Sequence, residues 1–140
     1  MQTENESLTY LNSLSLLRDT LLPNLLKDNE ADILYFAGKE LARSHAFDSL
    51  DDLIQQMNKR FAGQLVLSKK TKKALHYEWS GSFVSHRLSH ETNATFSLEA
   101  GFLAAGYQQI TDHYAEATYT VHPKKSIVTL LLQSDTNFTD

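Results

Sequence analysis

The chain contains no cysteine, which rules out disulfide frameworks, thiolate metal sites and thiol nucleophiles together. Proline and glycine are scarce, two and five among 140 residues, so no linker or low-complexity segment divides the chain. A single domain over residues 1–140 is expected, ordered over about 8–133 with polar tails at 1–7 and 134–140. An excess of positive charge is also missing. Thirteen Lys and Arg against 17 Asp and Glu leave a net charge of −4, whereas binders of nucleic-acid backbone carry a basic face. No apolar run approaches the roughly 20 residues of a membrane span. The opening Met1-Gln2-Thr3-Glu4-Asn5-Glu6-Ser7 lacks the basic and apolar regions of a signal peptide. These absences describe a cytoplasmic protein with no nucleic-acid partner and no membrane span.

What the sequence does contain is organised around residues 95–111. At helical period Phe96, Ala100, Leu103, Tyr107 and Ile110 form one stripe, and Leu98, Phe102 and Ala105 a second on nearly the opposite side. A helix that is apolar on two faces must be covered on both, by the rest of the domain or by the domain and a second subunit. Gly101, Gly106, Ala104 and Ser97 lie between the stripes and allow close backbone approach, and Glu99 is the one charge in the stretch.

Before this helix, Tyr10, Leu11, Leu14, Leu17 and Leu21 predict a first helix to about residue 22, which Pro23 stops or kinks. Asp28 or Asn29 can cap a second helix over residues 30–44 that buries Ile33, Leu34, Ala37 and Leu41, with Ala37-Gly38 permitting a close crossing. Ser49 and Asp52 form a capping-box-like start for a third, with Leu50, Leu53, Ile54, Met57 and Phe61 buried and Gly63 at its end. The period then changes to two. Leu65 and Leu67, the basic turn from Lys69 to Lys73, and Leu75, Tyr77 and Trp79 predict a hairpin. Residues 83–88 read as a third strand. After the central helix, residues 114–121 and 126–133 form a second hairpin joined by Pro123-Lys124-Lys125. The fold class is α+β: an antiparallel sheet of about four to five strands packed on a helical layer.

Candidate chemistry is sparse. Six histidines invite a metal reading, but His86 and His90 on one strand face would stand roughly 13 Å apart, too far to share an ion. No metal and no cofactor is expected. The Lys69 to Lys73 cluster reads as a solvated hairpin tip, and Gly38-Lys39 lacks the rest of a phosphate loop. Glu99 must be paired, hydrogen-bonded or neutral. The favoured role is structural, against an Arg or Lys or the helix dipole, and the other is a carboxylate facing a cavity.

Four segments resemble a known family: Leu21-Leu22-Pro23-Asn24-Leu25-Leu26, Ile33-Leu34-Tyr35-Phe36-Ala37-Gly38-Lys39-Glu40-Leu41-Ala42, Leu98-Glu99-Ala100-Gly101-Phe102-Leu103-Ala104 and Ala115-Glu116-Ala117. In this order they are similar to the YslB-like family of small Gram-positive bacterial proteins, over about residues 14–133. More distantly, the layout resembles vinyl-reductase-type ligand-binding domains and the small subunits of the TRAPP tethering complex. The resemblance implies a mixed fold with an antiparallel sheet, a helical layer, often a homodimer, and an apolar pocket that in some relatives holds an acyl chain on a cysteine. Covalent acylation does not carry over to a chain without cysteine, nor do the metal-ligand cysteines and histidines of some vinyl-reductase-type domains.

The expected function is therefore a non-enzymatic domain that binds a small apolar ligand or a partner, as a homodimer. Phe96, Leu98, Glu99, Phe102, Leu103 and Tyr107 are the candidate ligand contacts, with Tyr35, Phe36 and Trp79 as neighbours, although each apolar one is also an ordinary core position. The alternatives are a pure protein–protein scaffold, and an enzyme pairing Glu99 with His76, His86 or His113 as acid and base.

Overall fold

The computed structural model describes residues 4–90 and 93–138. Helix α1 (Glu4–Leu16) runs through a π-helical turn (Leu17–Leu21) into α2 (Leu22–Leu26), and a 3₁₀ turn (Lys27–Asn29) leads to α3 (Glu30–Arg43). Helix α4 (Leu50–Phe61), the hairpin β1 (Gln64–Lys70) and β2 (Leu75–Ser80), α5 (Ser82–His90), α6 (Ser97–Thr111), β3 (Ala115–His122) and β4 (Ile127–Ser134) complete the order. The sheet has four strands, β1-β2-β4-β3, all neighbours antiparallel. The α+β expectation holds, with four strands among the described residues.

Helix α6 is the centre of the molecule. Residues Glu99 to Gly106 are buried without interruption, so both predicted stripes are covered, and they are covered within one chain. One side meets α3 and α4, the other the inner face of the sheet, where Leu75, Tyr77 and Trp79 pair with Leu132, Leu130 and Val128. The small residues explain the fit to α3. A Cβ on Gly38 would overlap the carbonyl oxygen of Leu98, and one on Gly101 would overlap that of Tyr35. The two helices are thus in reciprocal backbone contact, which no residue larger than glycine permits at either position.

That contact also decides which face of α3 turns inward. Leu34, Gly38 and Ala42 are buried, whereas Ile33, Leu41 and Phe36 lie on the exposed side, with Ala37 half-buried. The predicted buried set of Ile33, Ala37 and Leu41 is corrected here, because close packing selected the small-residue face over the bulkier one. Helix α4 follows the sequence: the Ser49 hydroxyl accepts from the Asp52 N–H at 3.1 Å, and Leu53, Met57 and Phe61 are buried. Its left-handed terminal residue is Ala62 at φ 55°, not Gly63. Gly63 instead lies against Trp79, whose indole fills the space a side chain would need.

Two larger differences concern the predicted strand and the first helix. Residues 83–88 are not a strand but part of α5. Helical period brings Phe83, Val84 and Arg87 to one buried face, and Gly81, at φ 131°, supplies the sharp exit from β2. In α1–α2 the apolar stripe points outward. Tyr10, Leu14, Leu17, Leu21 and Leu25 are exposed, while Arg18 and Asp19 turn toward the core. Pro23 does not stop the helix: it sits in the first turn of α2, directly after the π turn. Residues Glu4 to Ser7, read as a frayed tail, belong to α1, and residues 1–3 lie outside the described set.

Candidate functional site

Two features flank α6, one at each end. At its N-terminal end is a buried ionic cluster. The Arg18 Nη2 donates to Glu99 Oε1 at 2.7 Å, and Arg87 grips Asp19 through Nε at 3.1 Å and Nη2 at 2.8 Å. The same Nη2 donates to the Thr95 carbonyl at 2.8 Å, and Arg87 Nη1 stands 3.8 Å from Glu99 Oε2. The Arg87 guanidinium lies over the Phe96 ring at 4.5 Å, a stacking only a planar cation can make. Arg87 and Glu99 are essentially without solvent contact. Two cations and two carboxylates balance, so the cluster can be buried without net charge. The π turn makes it possible: widening the helix at Leu17–Leu21 lets adjacent Arg18 and Asp19 both face inward. The expectation that Glu99 is a paired structural carboxylate matches this geometry.

At the other end, a cleft of about 430 Å³ opens between α6, α4 and the β1–β2 hairpin. Leu50, Leu75, Tyr77 and Tyr107 form its walls, and Leu67 stands at its border. This explains why Leu67, directly opposite fully buried Tyr77, remains 45% exposed. Residues 135–138, read from the sequence as a polar tail, fold back over this cleft. Phe138 is buried, its ring edge-on to Tyr107 at 5.7 Å, and its N–H donates to the Lys72 carbonyl at 2.9 Å. The Tyr77 hydroxyl is buried and has no hydrogen-bond partner among the described residues. Burial, with smaller contributions from Tyr107 and Asp51, pushes this phenol up to about 12, so it stays neutral and able to donate.

A second cleft, of about 370 Å³, lies between α3, α6 and β3. Tyr35 and Glu116 on its lining are already engaged. The Tyr35 hydroxyl donates to Glu116 and accepts from the Ala117 N–H at 3.0 Å, and Lys39 Nζ reaches Glu116 at 2.8 Å. Burial raises the Glu116 carboxyl, but hydrogen bonds from Lys39, Tyr114 and Tyr35 outweigh it and leave the group below its ordinary range.

The residues singled out from the sequence do not share one cavity. Tyr35 borders the α3–β3 cleft and Tyr107 the hairpin cleft. Trp79, Phe96, Phe102 and Leu103 are interior core, Leu98 is half-buried, Phe36 faces outward, and Glu99 sits in the ionic cluster. The separation expected for His86 and His90 is corrected: on a helix they are one turn apart, with ring centroids at 4.4 Å. Burial and the neighbouring His90 hold His86 below its usual value. No group of three or more potential metal ligands occurs among the described residues. Sequence reasoning missed Arg87, Tyr77 as a polar group, and Phe138. An arginine within the apolar set Phe83, Val84 and Leu88 was the one available signal of the first.

Compared with known sequences, residues 11–133 match the DUF2507 family, described as a protein of unknown function. The chain belongs to that family. It is 32% identical over 120 residues to the uncharacterized protein YslB of Bacillus subtilis (strain 168), spanning 86% of this chain and 81% of that one. Among solved structures, the phenol-responsive sensory domain of the transcription activator PoxR, with phenol, superposes with a TM-score of 0.60 at 13% identity, covering 89% of this chain and 74% of that one. Subunit 3 of the trafficking protein particle complex from Naegleria fowleri, covalently bound to palmitic acid, gives 0.56 at 10% identity, covering 94% and 99%. At these identities the likeness is one of fold. It agrees with the YslB-like and TRAPP-like resemblance, and no helix among the described residues is long and apolar enough to cross a membrane.

Proposed function

We propose that this protein is a non-enzymatic domain that binds a small, largely apolar molecule in the hairpin cleft beneath Phe138. The observation that carries the reading is the Tyr77 hydroxyl, on a residue that lines the cleft, buried and with no partner among the described residues. An unpaired buried hydroxyl costs about 1–3 kcal/mol, and a ligand acceptor in the cleft removes that cost. No buried side-chain polar atom on the α3–β3 cleft lacks a partner among the described residues. Two fold neighbours, at TM-scores of 0.60 and 0.56, were solved with phenol and with palmitic acid. They support a ligand-holding use of this architecture without identifying a ligand for this chain.

Native mass spectrometry of the protein purified from its own host tests the reading. A reproducible extra mass, lost on denaturation and reduced in Tyr77→Phe, is expected. A bare chain mass in every preparation overturns it.

A second copy of the chain is the proposed partner, and the observation behind it is the outward apolar stripe. Leu14, Leu17, Leu21 and Leu25 on α1–α2 and Ile33 and Phe36 on α3 are exposed large hydrophobics on consecutive, contacting elements. Such a face is unusual on a monomer and is self-complementary across a two-fold axis. Light scattering coupled to size exclusion should give the dimer mass for the native chain and the monomer mass for Leu17→Glu. A native monomer at micromolar concentration refutes the pairing.

A further inference from the structure

The structure also carries information about what the hairpin cleft holds. Phe138 is an aromatic ring delivered into an apolar niche by a segment that has little else fastening it. Asp135, Thr136 and Asn137 are exposed, and the Phe138 N–H to Lys72 carbonyl bond and the Asp135 N–H to Tyr114 carbonyl bond, at 3.0 Å, tie the segment down. Tyr107 meets the ring edge-on, the arrangement in which aromatic pairs attract beyond their burial.

Beside Thr111, Thr136 and Asn137, whose side chains both donate and accept, the cleft carries further hydrogen-bonding side chains. Tyr77 offers a neutral O–H donor, and Lys70 and His113 stand on the cleft lining as cation and imidazole donors. Among the described residues no Asp or Glu side chain lines this cleft, while Asp32 and Glu116 both line the α3–β3 cleft. A cleft with a buried unpartnered hydroxyl, bordered by a lysine and with no carboxylate on its described lining, selects an acceptor with negative charge.

Resting on the reading of this cleft as a ligand site, we infer that its occupant is a small aromatic carboxylate. Its ring takes the place of Phe138 and its carboxylate accepts from Tyr77. Residues 135–138 then act as a tethered competitor, holding the niche closed until a molecule with the same ring and a better polar end displaces them. The tether raises the effective concentration of Phe138 at its niche, so weak ligands are rejected.

Titration calorimetry with phenylacetate, with benzyl alcohol as the neutral comparator, tests this on the full chain. Phenylacetate should bind more tightly than benzyl alcohol by about tenfold, the worth of one charge-assisted hydrogen bond. Phe138→Ala should tighten phenylacetate by about tenfold, and Tyr77→Phe, a substitution the core accommodates, should weaken it by a similar factor. In the native chain, saturating phenylacetate should release the Phe138 amide from Lys72, seen as a shift of its resonance toward the random-coil position. Equal affinity for acid and alcohol overturns the carboxylate assignment. An unchanged or weaker affinity in Phe138→Ala, or a Phe138 amide that does not move, overturns displacement. Failure of phenylacetate to bind either chain, while the host-purified protein carries another mass, removes this inference and leaves the binding function standing. The absence of both removes the two together.

Discussion

The two ends of α6 solve the same problem in opposite ways. At the N-terminal end, four charged side chains are taken out of water and neutralise one another, with the Thr95 carbonyl and the Phe96 ring against Arg87. Arg18 Nε and Arg87 Nη1 have no hydrogen-bond partner among the described residues. At the C-terminal end the cleft mixes Leu50, Leu75 and Tyr107 with polar Lys70, Thr111 and His113, and the Tyr77 hydroxyl has no partner among the described residues. The more highly charged end is therefore closed by ion pairing, and the other end sets a neutral hydroxyl beside open space. Charge content alone points to the wrong end, and because buried unpartnered groups occur at both ends it is the adjoining cleft that separates the candidate site from the structural cluster.

Stability measurements can break this comparison. Arg87→Met should have the largest effect, about 4 kcal/mol, because it strands Asp19 and leaves one uncompensated buried carboxylate. Chemical denaturation of the variant checks it. Glu99→Gln keeps the shape and an acceptor but unbalances Arg18 and Arg87, so a loss of about 3 kcal/mol, or about 10 °C in Tm, is expected by calorimetry. An unchanged melting curve would mean that the cluster does not stabilise the fold. Gly38→Ala tests the backbone contact midway along α6 and should lose about 2 kcal/mol from overpacking, with the midpoint shifted at constant denaturant slope. Tyr77→Phe should be the smallest and of opposite sign, a gain of up to about 1 kcal/mol, because it deletes an unsatisfied hydroxyl. A loss of stability there would show that the hydroxyl already has a partner, and the contrast between the two ends would disappear.

Much of the architecture was legible because it depends on short-range pattern. The two-faced stripe of residues 95–111, its glycines, the Ser49 cap and the alternation of Leu75, Tyr77 and Trp79 all report local geometry that tertiary packing then uses. Residues 83–88 were misread because Phe83, Ser85 and Arg87 alternate with Val84, His86 and Leu88. Neither a strand nor a helix face is clean when the central buried residue is an arginine. Its burial is tolerable only beside Asp19 and Glu99, separated from it by 68 and 12 positions in the chain. The same long-range pairing turned α1–α2 inside out. Leucines at helical spacing ordinarily mark the buried face, but here the inward face was claimed by Arg18 and Asp19.

The candidate site was the least legible part. Tyr107 was singled out and does line the hairpin cleft, but Trp79, Phe96, Phe102 and Leu103 form solid core. A sequence shows which residues are apolar but not where packing among them stops short, since a cleft is a property of the space left over. Nor can periodicity show that Phe138, in a polar stretch, returns to cover Tyr107.

By itself, then, the sequence determined the element types, the central helix and the glycine seam, because propensity and hydrophobic period act over a few residues. Tertiary structure alone decided which helix faces turn inward, which charges find partners and which hydroxyl does not. Those outcomes depend on groups far apart in the chain, and on pairing energies of a few kcal/mol that no local pattern records.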